Sequence, residues 1–155
     1  MQTTASKLQT NSSKKSLKTL VNFDGALCYK NLNLVSRFAN KQKISLEKAQ
    51  HYFEELKKFL IVCGMMTDPC SPSGELDEIW HHFILHTRDY KEYCEKYIGR
   101  FLHHSPTDAP FIGSRKEMIE VAEKLFGALD HSIWPKAEIT ACDSSCRGDN
   151  YCNEN

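Results

Sequence analysis

The chain has 155 residues, a length that fits one domain, and its 41% hydrophobic content is enough to fill one core. Lys plus Arg and Asp plus Glu number 20 each, so no global field draws the chain to nucleic acid or an acidic membrane. No basic stripe surrounds the aromatic residues, which further disfavours a nucleic-acid surface.

No stretch approaches the roughly 18 apolar residues of a membrane span, and residues 1–22 lack the apolar segment of a secretory signal. The expected location is the cytoplasm. In a reducing compartment the seven cysteines read as buried thiols, metal ligands or redox groups before disulfides. Asn11-Ser12-Ser13 and Arg147-Gly148-Asp149 would matter only in a secreted protein.

Residues 1–22 are polar, with four lysines and no acid, and are expected to be disordered. Order is expected from Phe23 to Lys136. Leu32, Val35 and Phe38 recur at helical spacing and predict a first helix from about Tyr29 to Asn40. Ser45 is an N-cap residue with Glu47 in the first turn. After it Leu46, Ala49, Phe53, Leu56, Leu60 and Cys63 follow at three- and four-residue steps, the clearest amphipathic helix of the chain, ending near Gly64. Cys63 on that stripe reads as an inert buried thiol.

Thr67 to Gly74 carries two prolines and a glycine and must be a loop, with Cys70 exposed in it and no partner at ligand spacing. Helical pattern resumes at Glu75. Leu76, Ile79, Trp80, Phe83, Thr87, Tyr90, Cys94 and Ile98 form an apolar stripe that Gly99 can end, with Thr87 a point where it can break. A loop follows, then a last helix capped by Ser114, whose buried face is Met118, Ala122, Leu125 and Leu129. Trp134-Pro135 closes the packed region. No run of alternating β-branched residues appears. The expected fold class is all-α: a compact orthogonal bundle of about five helices between a disordered N-terminus and a flexible tail, residues 137–155.

Five of the seven histidines lie between 81 and 104. Residues four apart on a helix share a face, so Asp77 and His81 can reach one ion or one bound group. His82 and His86 make a second such pair on the opposite, mainly solvated side. His103 and His104 follow by one loop and can fold back. The zincin pattern needs a Glu beside the first His, and His82-Phe83-Ile84-Leu85-His86 has none. Asp77, His81 and His103 or His104, joined by Cys94, suit zinc, iron(II) or copper. On an unbroken helix Cys94 lies roughly 140° from His81, so it joins only if the helix breaks at Thr87. The alternative is an Asp–His pair that pins the helix start. No phosphate loop or nucleophile elbow is present. In the tail, Cys142, Cys146 and Cys152 are accessible thiols without zinc-knuckle spacing, suited to soft metals, oxidation or modification.

Leu76-Asp77-Glu78-Ile79-Trp80-His81, with Leu85, Tyr90 and Cys94, resembles the glycine-rich domain-containing protein-like family. Phe83 to Tyr90 and Gly99 to Pro106 resemble phrases of its short bacterial members. Plant members carry a second His where this chain has Phe83, so no His-x-His pair stands here. The likeness spans roughly residues 30–135, implies a helical domain, and singles out Asp77, His81, Cys94, His103 and His104. It names no substrate. The sequence therefore points to a small binding module holding a transition-metal ion or small ligand, the tail adding metal or redox chemistry. Two alternatives are a recognition domain whose tail a modifying enzyme or partner acts on, and an enzyme using Asp77 and His81 as acid and base.

Overall fold

The computed structural model describes residues 21–68, 70–105 and 112–135. Within them the chain forms six α-helices and no strand, the all-α class the periodicity implied. None of these helices is long and apolar enough to cross a membrane. The tail and most of the N-terminal segment lie outside the described residues.

Helix α1 (Phe23–Cys28) is short and lies ahead of the first helix the sequence implied. Its start is held by Asn22, whose side chain accepts from Gly25 N at 2.9 Å. Its carbonyl end is held by Lys57: Nζ is buried and donates to Leu27 O and Tyr29 O, and pairs with Glu54 at 2.8 Å. A buried ammonium is tolerated because each of its protons has an acceptor. Helix α2 (Leu32–Gln42) starts at an Asn31 cap and ends at Lys43 in the left-handed region, φ 54°.

Helix α3 (Leu46–Met65) begins at Ser45 as expected, its hydroxyl accepting from Lys48 N at 3.1 Å. The predicted stripe is buried from Ala49 to Cys63, with Leu46 at its start exposed, but Phe59, Ile61, Val62 and Gly64 are buried too. An amphipathic helix buried on several sides is the central one: α1, α2, α4 and α6 all pack against it. Tyr29, Phe53, Phe83 and Tyr93 fill the junction at ring separations of 5.1–6.2 Å.

The helical stretch after the loop is broken. Helix α4 (Gly74–Leu85) and helix α5 (Thr87–Tyr93) meet at His86, whose ψ of 60° leaves the helical region. His86 N donates to Phe83 O and His86 O accepts from Tyr90 N, both at 2.9 Å, so the corner loses little hydrogen bonding. A π-helical turn, Cys94–Ile98, follows and stops at Gly99, φ 82°, with Gly99 N donating to Cys94 O. Helix α6 (Ile112–Phe126) begins before Ser114, so that residue is not its cap. Met118, Ile119 and Ala122 are its buried face, whereas Leu125 is exposed. Leu129, Ile133 and Trp134 then dock on α3, where Trp134 Nε1 donates to the buried Glu55 at 2.7 Å.

Candidate metal centre

Two segments build the site. On α4, Asp77 and His81 are one turn apart and share a face, and His81 Nδ1 lies 3.3 Å from Asp77 Oδ2. The second segment, Arg100–Ser105, leaves the π turn and runs back along α4. It is anchored by a buried relay: Trp80 Nε1 donates to Tyr90 Oη at 3.0 Å, and Tyr90 Oη donates to Leu102 O at 2.6 Å. Two residues on, the His104 ring lies over Trp80 with centroids 4.4 Å apart. His104 Nε2 thereby comes within 3.0 Å of Asp77 Oδ1 and 2.8 Å of His81 Nε2.

One donor atom from each of Asp77, His81 and His104 thus falls within 4.8 Å of the other two. Tetrahedral zinc with bonds of about 2.0–2.1 Å holds its ligand atoms roughly 3.3 Å apart. His104 Nε2 stands 2.8 Å from His81 Nε2 and 3.0 Å from Asp77 Oδ1, two separations that need only a slight opening to admit an ion, while the third side of a set with one atom from each residue lies within 4.8 Å. Without one, a neutral arrangement is self-consistent: His81 Nδ1–H donates to the carboxylate and its Nε2 lone pair accepts from His104 Nε2–H. Burial lowers the His104 pKa and neighbouring His81 lowers it further, against the pull of Asp77. A neutral imidazole is the ligating form. His104 is the shielded member, its side chain 11% exposed against 51% for His81.

The triad opens on a cleft of about 570 Å³ whose other walls include Cys63, Cys70, Arg100 and Phe101. That volume is in the range of small-molecule sites.

The other residues singled out from sequence take different places. The break that Cys94 needed does occur, but α5 and the π turn carry Cys94 into the core, fully buried and outside the triad. Burial pushes its thiol pKa up. His103 is exposed and lies edge-on to Phe101 at 4.9 Å, leaving His104 as the histidine of that pair in the triad. Cys142, Cys146 and Cys152 lie outside the described residues. His82 corrects the sequence reading: it is 8% exposed rather than solvated, packed 5.4 Å from Phe38 and 5.2 Å from His86. Its Nε2 has no hydrogen-bond partner, and burial lowers its pKa. Sequence reasoning missed Trp80 and Tyr90 as the supports of His104, because a stripe position reads as core whatever its polar atom does.

A family model matches residues 28–120, 93 of the 155 residues. The chain belongs to the UCP032817-like family. That description carries no activity and no ligand. The UCP032817-like region takes in α2 to α5, the return segment and all three triad residues, and it stops short of the tail cysteines. No curated protein and no solved structure matches the chain.

Proposed function

We propose that this chain is a small metal-binding module in which Asp77, His81 and His104 hold one transition-metal ion at the cleft wall. The observation that carries the reading is the convergence of three ligand-type atoms, from two segments 23 residues apart, within 4.8 Å. Two imidazoles and a carboxylate suit zinc first, with iron(II) and copper compatible by ligand type. Three protein ligands leave a fourth position, and the cleft is where a water or a small ligand would take it. The Trp80–Tyr90–Leu102 relay is the outer support that such sites need to keep a ligand ring aimed. The resemblance to the glycine-rich domain-containing protein-like family agrees, since Asp77, Trp80, His81 and Tyr90 all belong to its motif. Balanced charge favours a small ligand or a protein partner over nucleic acid. Cys142, Cys146 and Cys152 would extend the metal or redox role from the tail.

The test is metal content of the full-length chain purified reduced, with the three tail cysteines replaced by serine. The expected result is near-stoichiometric metal, removed by His104→Ala or Asp77→Ala in the same background. Metal that persists in both variants, or none in the parent, would leave the triad a hydrogen-bonded structural cluster.

A further inference from the structure

The cleft has a second face, made of sulfur. Cys63 lies in the last turn of α3, and Met66, three residues on, is its C-cap. The loop after the helix brings Cys70 back over them. Its Sγ lies 3.8 Å from Met66 Sδ, and it lines the same cleft as Cys63. The sequence had placed Cys70 exposed and without a partner; it is half-buried and has Met66 Sδ as a partner. Cys63 is 5% and Met66 8% exposed; Cys63 and Cys70 line the cleft, with Met66 behind Cys70.

The backbone beneath the cluster is fixed independently. The Arg100 guanidinium donates to Cys63 O and to Met66 O, each at 2.7 Å. Those are the carbonyls of the last-turn residue and the C-cap residue that carry the two sulfurs. A site whose ligands are held before binding loses less on ordering them.

We propose that Cys63, Met66 and Cys70 form a site for one Cu(I) ion, separate from the nitrogen–oxygen triad. Two thiolates and a thioether are the soft ligand set that selects Cu(I), whereas Asp77, His81 and His104 offer the harder set. Metal–sulfur bonds of about 2.3 Å in a trigonal plane put sulfurs roughly 4.0 Å apart, close to the 3.8 Å between Cys70 and Met66. On uptake each thiol loses its proton to water as its sulfur–copper bond forms, and copper stays monovalent throughout. Two thiolates and one Cu(I) leave a single negative charge, beside the Arg100 cation. Burial pushes the Cys63 thiol well above its ordinary pKa.

The test is anaerobic competition for Cu(I) between a coloured Cu(I) chelator and the reduced full-length chain, with Cys142, Cys146 and Cys152 replaced by serine. The parent is expected to withdraw one equivalent, with a sulfur-only first shell in X-ray absorption. Losing a ligand should weaken binding by at least about 100-fold in Cys70→Ser and about 10-fold in Met66→Leu, which preserves side-chain size. Cys28→Ser, an exposed thiol on α1, should change nothing. Circular dichroism keeps the variants comparable, and Met66→Leu tests the site even if a cysteine variant misfolds. No copper withdrawn by the parent, wild-type affinity in both ligand variants, or histidine scattering in the copper spectrum would overturn the proposal.

Discussion

Replacing His81 by alanine separates a ligand from a structural residue. The His81 side chain is half exposed, and its polar contacts are to Asp77 and His104. A substitution at such a site costs the metal-free protein about 0.5 kcal/mol or less, near 2 °C in melting temperature for a domain of this size. Metal changes the comparison. An ion that binds only the folded state stabilises it by about 2.7 kcal/mol at one hundred times its dissociation constant. At about 4 °C per kcal/mol the parent should then melt some 10 °C higher with zinc than with chelator. His81→Ala should melt within about 2 °C of the parent in chelator and gain almost none of the zinc shift. Differential scanning calorimetry in the tail-serine background reads both numbers. A full zinc shift in His81→Ala would refute the triad as the site. A loss of several degrees in chelator would refute it too, by making His81 a structural residue.

Tyr90→Phe leaves Trp80 Nε1 and Leu102 O without their buried partners; zinc affinity should fall about 10- to 100-fold as the His104 segment loosens, read by chelator competition. Glu55→Leu orphans the buried Trp134 indole N–H and should cost about 1–3 kcal/mol, while Glu55→Gln keeps an acceptor and should cost clearly less. Urea unfolding followed by tryptophan fluorescence compares them, and a Leu variant as stable as the parent would contradict the argument. Gly64→Ala would set a Cβ 2.6 Å from Ile98 Cγ2, an overpacking cost of about 1–3 kcal/mol that exceeds the gain of about 1 kcal/mol from helix propensity; a higher urea midpoint would show that the π turn yields. His82 has a lowered folded pKa, so its stabilising contribution is present above the ordinary histidine value near 6.5 and is lost as pH falls through the folded value. His82→Leu should therefore lose less stability than the parent between pH 7 and 5 in chelator, with the remaining slope from His104, whose pKa is also lowered.

The helices were legible where burial is periodic. Ser45 and the stripe from Leu46 to Cys63 mark α3 because a half-buried helix must repeat its apolar side chains every three or four residues. Helix α1 escaped because six residues give no period to read, and its stability comes from Lys57 at a distance in sequence. His82 was misplaced because a helical wheel drawn on α4 alone knows nothing of α2: Phe38 covers the side that the wheel left to solvent. Asp77 and His81 were legible as a pair since four-residue spacing on a helix is local geometry. The choice of His104 over His103 was not, because it depends on which ring lies over Trp80.

The corner at His86 has a consequence that reaches beyond Cys94. On a straight helix His81 and Gly99 would be separated by about 27 Å, at 1.5 Å for each of the intervening steps. The five residues Arg100 to His104 span at most roughly 18 Å even when fully extended. An unbroken helix would therefore leave the His104 Cα about 9 Å or more from that of His81 even with the segment fully stretched, so the rings would meet only near the limit of side-chain reach. The two rings meet at 2.8 Å in a chain where α4 and α5 turn at His86 and the π turn ends at a left-handed Gly99. The same two bends bring Tyr90 under Leu102 and aim Arg100 at the end of α3. A pattern of apolar residues that runs on smoothly through a corner conceals it, since α4 and α5 bury their stripes against the same core. Reach weighs on what periodicity leaves open: a histidine pair five residues beyond a helix returns to that helix's first half without full extension only if the helix is not straight.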